Sequence, residues 1–248
     1  MPYTMLGVRI DTLSKPDALV KAREFLLATG QKKIYTPNPE MLVKAYNDQT
    51  FRDVLNRGDL NVCDGFGIRL FSGFIVQRIS GVEMTYDLCA LAENEGKSIF
   101  LMGTGNESIV AETAEALQKR FPKLKIAGFH RGPTVKEAPG NLVVDESVNA
   151  GVINFINLTK PDVLFVAFGM GKQEKWLETY LPQLLTVKLT VGVGGAFDFI
   201  SGRVSRAPLL LRKIGLEWLY RLIRQPWRIG RIWNATVKFA YYVVRYGK

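Results

Sequence analysis

Two periodicities alternate along the chain. In "DALVKAREFLLAT" (17–29) apolar residues recur at helical spacing and stop before Gly30, which predicts a helix. "KIYT" (33–36) is a short β-rich run. "PNPEMLVKAYND" follows it and predicts a second helix, with Asn38 as N-cap and Pro39 in the first turn. A third helix, at about 50–57, leads into the strand "LNVCD". From residue 98 the alternation is regular. "SIFLMGTG" (98–105), "KIAGFH" (125–130), "DVLFVAFG" (162–169) and "KLTVGVGG" (188–195) read as strands, and helices fill the intervals. Continuous apolar strands between helices predict an α/β fold: a Rossmann-like, mostly parallel sheet covered by helices on both faces. "RGPTVKEAPGN" (131–141) reads as a long, mobile loop bordering the strand ends.

Such a sheet gathers ligands at the carboxyl ends of its strands. Thr36, Asp64, Gly103, His130, Gly169 and Gly194 all fall there. Asp64 is fenced by Gly65 and Gly67 in "NVCDGFGI", which fits a turn residue, a helix cap or a proton acceptor. Asn38 taken alone is a helix cap. The glycines of "GTGNES" (Gly103, Gly105) and "VGVGG" (Gly194, Gly195) allow close backbone approach to a phosphate.

The charge is unevenly placed. From Arg203 onward there are eleven Lys/Arg and one acid, Glu217, which equals the net +10 of the whole chain. Residues 1–202 carry 22 charges of each sign. Three of the four tryptophans (Trp218, Trp227, Trp233) also lie in this tail. Arg221, Arg224, Arg228 and Arg231 are spaced by three or four, with Leu, Ile and Trp between them, and Pro226 interrupts the helix. The pattern predicts a core over 1–207 and a basic amphipathic helical appendage over 208–248, suited to an anionic membrane surface. Duplex nucleic acid would account for the charge but not for the polar strand ends, so no nucleic acid is expected as partner.

Other chemistry is excluded or disfavoured. "FGMGK" lacks the spacing of a P-loop, since Gln173 follows the lysine. No acid closes "KIAGFH", where a dinucleotide-binding sheet carries its ribose ligand, so no nicotinamide cofactor is expected. His130 is the only histidine, which removes His-based triads and multi-histidine metal sites. Asp-x-Asp is absent, so no metal ligand is assigned. Cys63 and Cys89 have no redox or ligand spacing, which with the lack of a signal peptide or membrane span reads as a cytoplasmic protein without disulfides.

Taken together, "TPNPEMLVKAYND", "LNVCDGFGI", "RISGVEM", "FGMGKQEKWL", "VGVGGAFDFISGRVSRAP" and "GLEWLYRLIRQPWRIGR" resemble, in order and over nearly the whole chain, the WecG/TagA/CpsF family of bacterial glycosyltransferases. The resemblance implies inverting, metal-independent transfer of an N-acetylhexosamine from a UDP-sugar to a lipid-diphosphate-linked N-acetylglucosamine at the inner membrane face. Within the family it is nearest the branch that adds N-acetylmannosamine, β-1,4-linked, in wall teichoic acid synthesis. By motif position it implies Asp64 as catalytic base; Thr36, Asn38 and Gln173 as sugar and acceptor contacts; Asp198 at the nucleoside; and Arg221 and Arg224 at the diphosphate. A homo-oligomer is compatible with it. The family usually has proline where Gly171 stands, which should loosen that turn.

Overall fold

Both faces of the central sheet are roofed, which is why its strands are apolar at successive positions. The structure, a computed structural model, describes residues 2–138 and 141–247. A hairpin of β1 (Tyr3–Met5) and β2 (Val8–Ile10) precedes α1 (Lys15–Leu27), β3 (Lys32–Tyr35), α2 (Pro39–Asn47), α3 (Gln49–Asn56) and β4 (Leu60–Asn61). Then come α4 (Phe66–Phe71), α5 (Gly81–Asn94), β5 (Ser98–Gly103), α6 (Glu107–Arg120) and β6 (Lys125–His130). A second hairpin, β7 (Val135–Ala138) with β8 (Asn141–Val144), leads to α7 (Glu146–Thr159), β9 (Val163–Ala167), α8 (Lys172–Tyr180), β10 (Leu189–Gly192) and α9 (Ala196–Ile200).

Six strands form one parallel sheet in the order β4-β3-β10-β9-β5-β6. Alternate residues of β9 enter opposite cores. Leu164 and Val166 pack with α2, α3, α7 and α8, while Val163, Phe165 and Ala167 pack with α1, α5, α6 and α9. The connection leaving β5 runs toward one edge of the sheet and that leaving β9 toward the other. The crevice between their carboxyl ends is therefore the topological switch point, where open α/β sheets bind ligands.

The expected alternation holds, with corrections. Residues 131–141 are not one loop: Val135 is buried and its segment pairs with β8, because an antiparallel partner satisfies its backbone. Pro139 and Gly140 lie outside the described residues. Gly171 does not loosen its turn. At φ +84° its N–H donates to Glu174 Oε2 at 2.7 Å, a bond no proline can make, and Lys44 and Glu137 crowd its Cα. α4 and α5 lie in a stretch the periodicity left unassigned.

The tail forms α10 (Leu209–Lys213), α11 (Glu217–Arg224), α12 (Ile229–Trp233) and α13 (Phe239–Tyr246), with a π-helical turn over Asn234–Lys238. Pro226 opens a 3-10 turn between α11 and α12, where the sequence places a break. The tail lies against the core: Phe239 is 1% exposed and meets Phe71 edge-on, and Arg231 grips Glu40 with two nitrogens. Among the described residues no helix is long and apolar enough to cross a membrane.

Candidate active site

The carboxyl edge of the sheet opens into a cavity of about 490 Å³. Thr36 follows β3, Thr104 and Gly105 follow β5, Phe168 and Gly169 follow β9, and Gly194 and Gly195 follow β10; all line it. A second cavity of about 520 Å³ lies on the tail side. The two share Asn38, Asp64, Val82, Phe199, Arg221, Arg228 and Arg231, so Asp64 stands in a wall common to both.

Asp64 follows the short β4, and its N–H is fixed by the Pro37 carbonyl at 2.8 Å. Its Oδ2 accepts the Gly81 N–H at 3.0 Å, at the first turn of α5. Ser80 and Glu83 close a capping box around that helix start, which sets the direction of the amide. Oδ1 accepts no hydrogen bond among the described residues. Burial pushes the Asp64 carboxyl above its ordinary range, opposed by the Gly81 amide and by Arg78. The carboxylate is thus tethered by one oxygen and open at the other. A Cβ built on Gly81 would lie 3.5 Å from Asp64 Oδ2 and 3.7 Å from Thr36 Oγ1, so the three converge.

Thr36 is buried and donates to the Gly192 carbonyl at 3.3 Å. Asn38 caps α2 as expected, its Oδ1 accepting the Met41 N–H at 3.0 Å. The cap consumes the oxygen and leaves the amide N–H groups for a ligand. Gln173 is buried, and its amide braces the glycine edge. Oε1 accepts the Gly194 N–H at 3.0 Å, and Nε2 donates to Glu174 Oε1 at 2.7 Å. One N–H and one lone pair of Gln173 remain for a ligand.

Glu174 was not assigned from the sequence, where an acid opening a helix is unremarkable. It is fully buried and accepts from both Gln173 and Gly171, and burial pushes its carboxyl up to about 7. It positions Gln173, and through it the Gly194 turn.

Gly105 and Gly194 are left-handed (φ +69° and +54°) and have nothing within 4 Å of a built Cβ, so backbone is bared to the cavity. Gly103 differs. A Cβ there would lie 2.6 Å from the Ala167 carbonyl carbon, so this glycine serves close strand packing and does not line the cavity. Asp198, on α9, does line it; burial raises its carboxyl pKa, opposed by Arg228 and Arg221.

Arg221 reaches the shared wall, with its guanidinium over the Phe199 ring at 4.4 Å. Arg224 does not. It ends α11, is exposed, and lies over the Tyr220 ring, because the break at Pro226 comes too late to turn it inward. After that break Arg228 and Arg231 line both cavities instead. Among the described residues Arg221 and Arg228 form no ion pair. Burial lowers the pKa of both, and for Arg228 the neighbouring Arg231 and Arg221 lower it further. Glu217 and Asp64 for Arg221, and Glu40 and Asp198 for Arg228, oppose this through space without pairing, so two desolvated guanidinium groups remain open to a polyanion. Arg78 and Arg206 join them on the tail side, though their positions in the sequence carry no sign of it.

His130 lies in neither cavity; its Nδ1 accepts the Gly132 N–H at 2.9 Å, a structural role. Cys63 and Cys89 are free and buried.

The N-acetylglucosaminyldiphosphoundecaprenol N-acetyl-beta-D-mannosaminyltransferases of Staphylococcus aureus strains MRSA252 and MW2 are each 31% identical to this chain, over 97% of it and 91% of their own length. Residues 3–248 match the glycosyl transferase WecG/TagA/CpsF family, and the chain belongs to that family of enzymes.

Proposed function

We propose that the protein moves N-acetylmannosamine from a UDP-sugar to N-acetylglucosamine linked through diphosphate to undecaprenol, with inversion and without a metal. The observation that carries this reading is the single open carboxylate, Asp64, in the wall between two cavities that also share unpaired arginines. The first cavity takes the donor. Its bared glycine backbone and Asp198 receive the nucleotide, and Thr36, Asn38 and Gln173 orient the sugars. Asp64 takes the proton from the acceptor hydroxyl as that oxygen attacks the anomeric carbon, on the face opposite departing UDP. Arg221 and Arg228 neutralise the charge that grows on the leaving diphosphate. The acceptor oxygen gains the sugar, the proton rests on Asp64, and UDP leaves with the bonding pair.

The tail brings the enzyme to a lipid-borne acceptor on the cytoplasmic face of the membrane. Each Lys or Arg near an anionic leaflet contributes about 1 kcal/mol, and Ile223 and Trp227 are 71% and 77% exposed.

Asp64→Asn tests the reading. Loss of the base should lower transfer by roughly 10²–10⁴-fold, while UDP affinity by titration stays within about twofold. Near-wild-type transfer by this variant would overturn the assignment.

A further inference from the structure

The second cavity differs in character from the first. Its far wall is apolar: Phe66, Leu70 and Phe71 from α4, Ile214 from the α10–α11 turn, and Ile232 and Phe239 from the end of the tail. Gly215, at φ +81°, lets the tail backbone lie directly on the Phe66 ring, so core and tail build this wall jointly. Leu70, Ile214 and Trp218 are exposed at 46%, 50% and 38%, which marks a mouth at the surface. Phe74 and Ile75, close by in sequence, are exposed as well.

Toward Asp64 the same cavity turns cationic. Arg78 and Arg206 line this cavity and not the first. They share one carboxylate: Glu217 meets Arg78 Nη2 at 2.9 Å and Arg206 Nε at 3.9 Å. Glu83 also acts on both, and Asp64 on Arg78, but over the whole lining five arginines (Arg78, Arg206, Arg221, Arg228, Arg231) face three carboxylates (Glu40, Asp64, Glu217), and Arg206 Nε is buried with no hydrogen-bond partner. A chamber that is acidic at one point, cationic beside it and apolar to its mouth matches a molecule built as sugar, diphosphate and hydrocarbon.

We infer that this second cavity holds the diphosphate and the first isoprene units of the lipid acceptor, Arg206 and Arg78 binding the diphosphate and the chain leaving past Leu70, Ile214 and Trp218. The inference rests on the acceptor class proposed above. It adds that hydrocarbon is recognised by the protein itself, so chain length enters specificity, and that the two diphosphates use different arginines.

The test uses the full chain with UDP at saturation, titrated with farnesyl diphosphate and separately with inorganic diphosphate. Farnesyl diphosphate should bind at least about tenfold tighter, the worth of roughly two buried methylenes. Ala235 lines the cavity and is half-buried; Ala235→Trp fills the apolar space and should bring the two affinities within about twofold. Arg206→Gln should weaken both probes together. Leu70→Asn, at the exposed mouth, should reduce the preference about threefold and serves if the tryptophan variant melts early. Equal affinities for the two probes in the wild type would overturn the inference. So would a preference that survives both apolar substitutions in folded protein, or one present only in a dimer, which would assign the face to a second copy. A chain preference without sugar transfer to any acceptor would sink the transferase reading and leave the lipid cavity standing.

Discussion

Six helices of the core carry a side-chain N-cap: Ser14, Asn38, Asp48, Ser80, Asn106 and Asp145. None of the four tail helices carries one, and α11 has no buried residue. A side-chain cap contributes about 1 kcal/mol, and helices of five to eight residues are marginal alone. The core satisfies itself, whereas the tail draws its order from what it lies on. Part of that support is the core, through Phe239 and Ile232. The remainder is exposed, with Leu210, Ile223 and Trp227 at 70%, 71% and 77%. Three core helices depart from the rule: α4, α8 and α9 start at Gly65, Gly171 and Gly195 without a side-chain cap, and all three border the site.

The sharpest way to break this contrast is to unhook the tail. Phe239→Ala should cost about 3–5 kcal/mol, read as a lower denaturation midpoint. Transfer should fall with it, because Arg228 and Arg231 lose their support. Next in size is the arginine pair. Arg228→Gln should lower transfer about a hundredfold by removing charge from the leaving diphosphate, while Arg224→Gln should change it less than about threefold. Equal losses would mean that the tail is seated differently from the arrangement described.

Glu174 tests the core side. Its carboxyl is held near 7, above its ordinary 4.5, so the folded state binds the proton more tightly than the unfolded chain. Its contribution is full below about 4.5 and is lost as pH rises through about 7. Glu174→Gln should therefore flatten that part of the melting-temperature profile, and an unchanged slope would refute the buried-acid assignment. The smallest effect on stability belongs to the exposed tail. Ile223→Glu with Trp227→Glu should shift stability by no more than about 0.5 kcal/mol, yet clearly reduce recovery with anionic liposomes in flotation.

Much of the core was legible because its signals are local. β9 is apolar throughout and β10 is so but for Thr190, and Asn38 with Pro39 announces α2 in four letters. Strand ends then delivered Thr36, Asp64, Gly169 and Gly194 to one cavity without a motif, whereas Asp198 came only from the family resemblance. What escaped was long-range. Arg78 and Glu217 meet across 139 positions, and nothing near either residue signals the other. Gly103 looked like its neighbour Gly105, but only the register of β5 on β9 shows that Ala167 fills the space above it. Arg224 obeyed the helical spacing and still pointed away, because spacing gives a face and not which face is covered. The Ser80–Glu83 capping box was a local signal for α5, hidden within a stretch that lacks clear periodicity.

A carboxylate set in a partition, with a chamber on either side, has a kinetic meaning. On the proposed reading the sugar has no waiting place on the protein between its two owners. Donor and acceptor must be seated at once, and turnover should follow a ternary-complex rate law, with neither product released before both substrates have arrived.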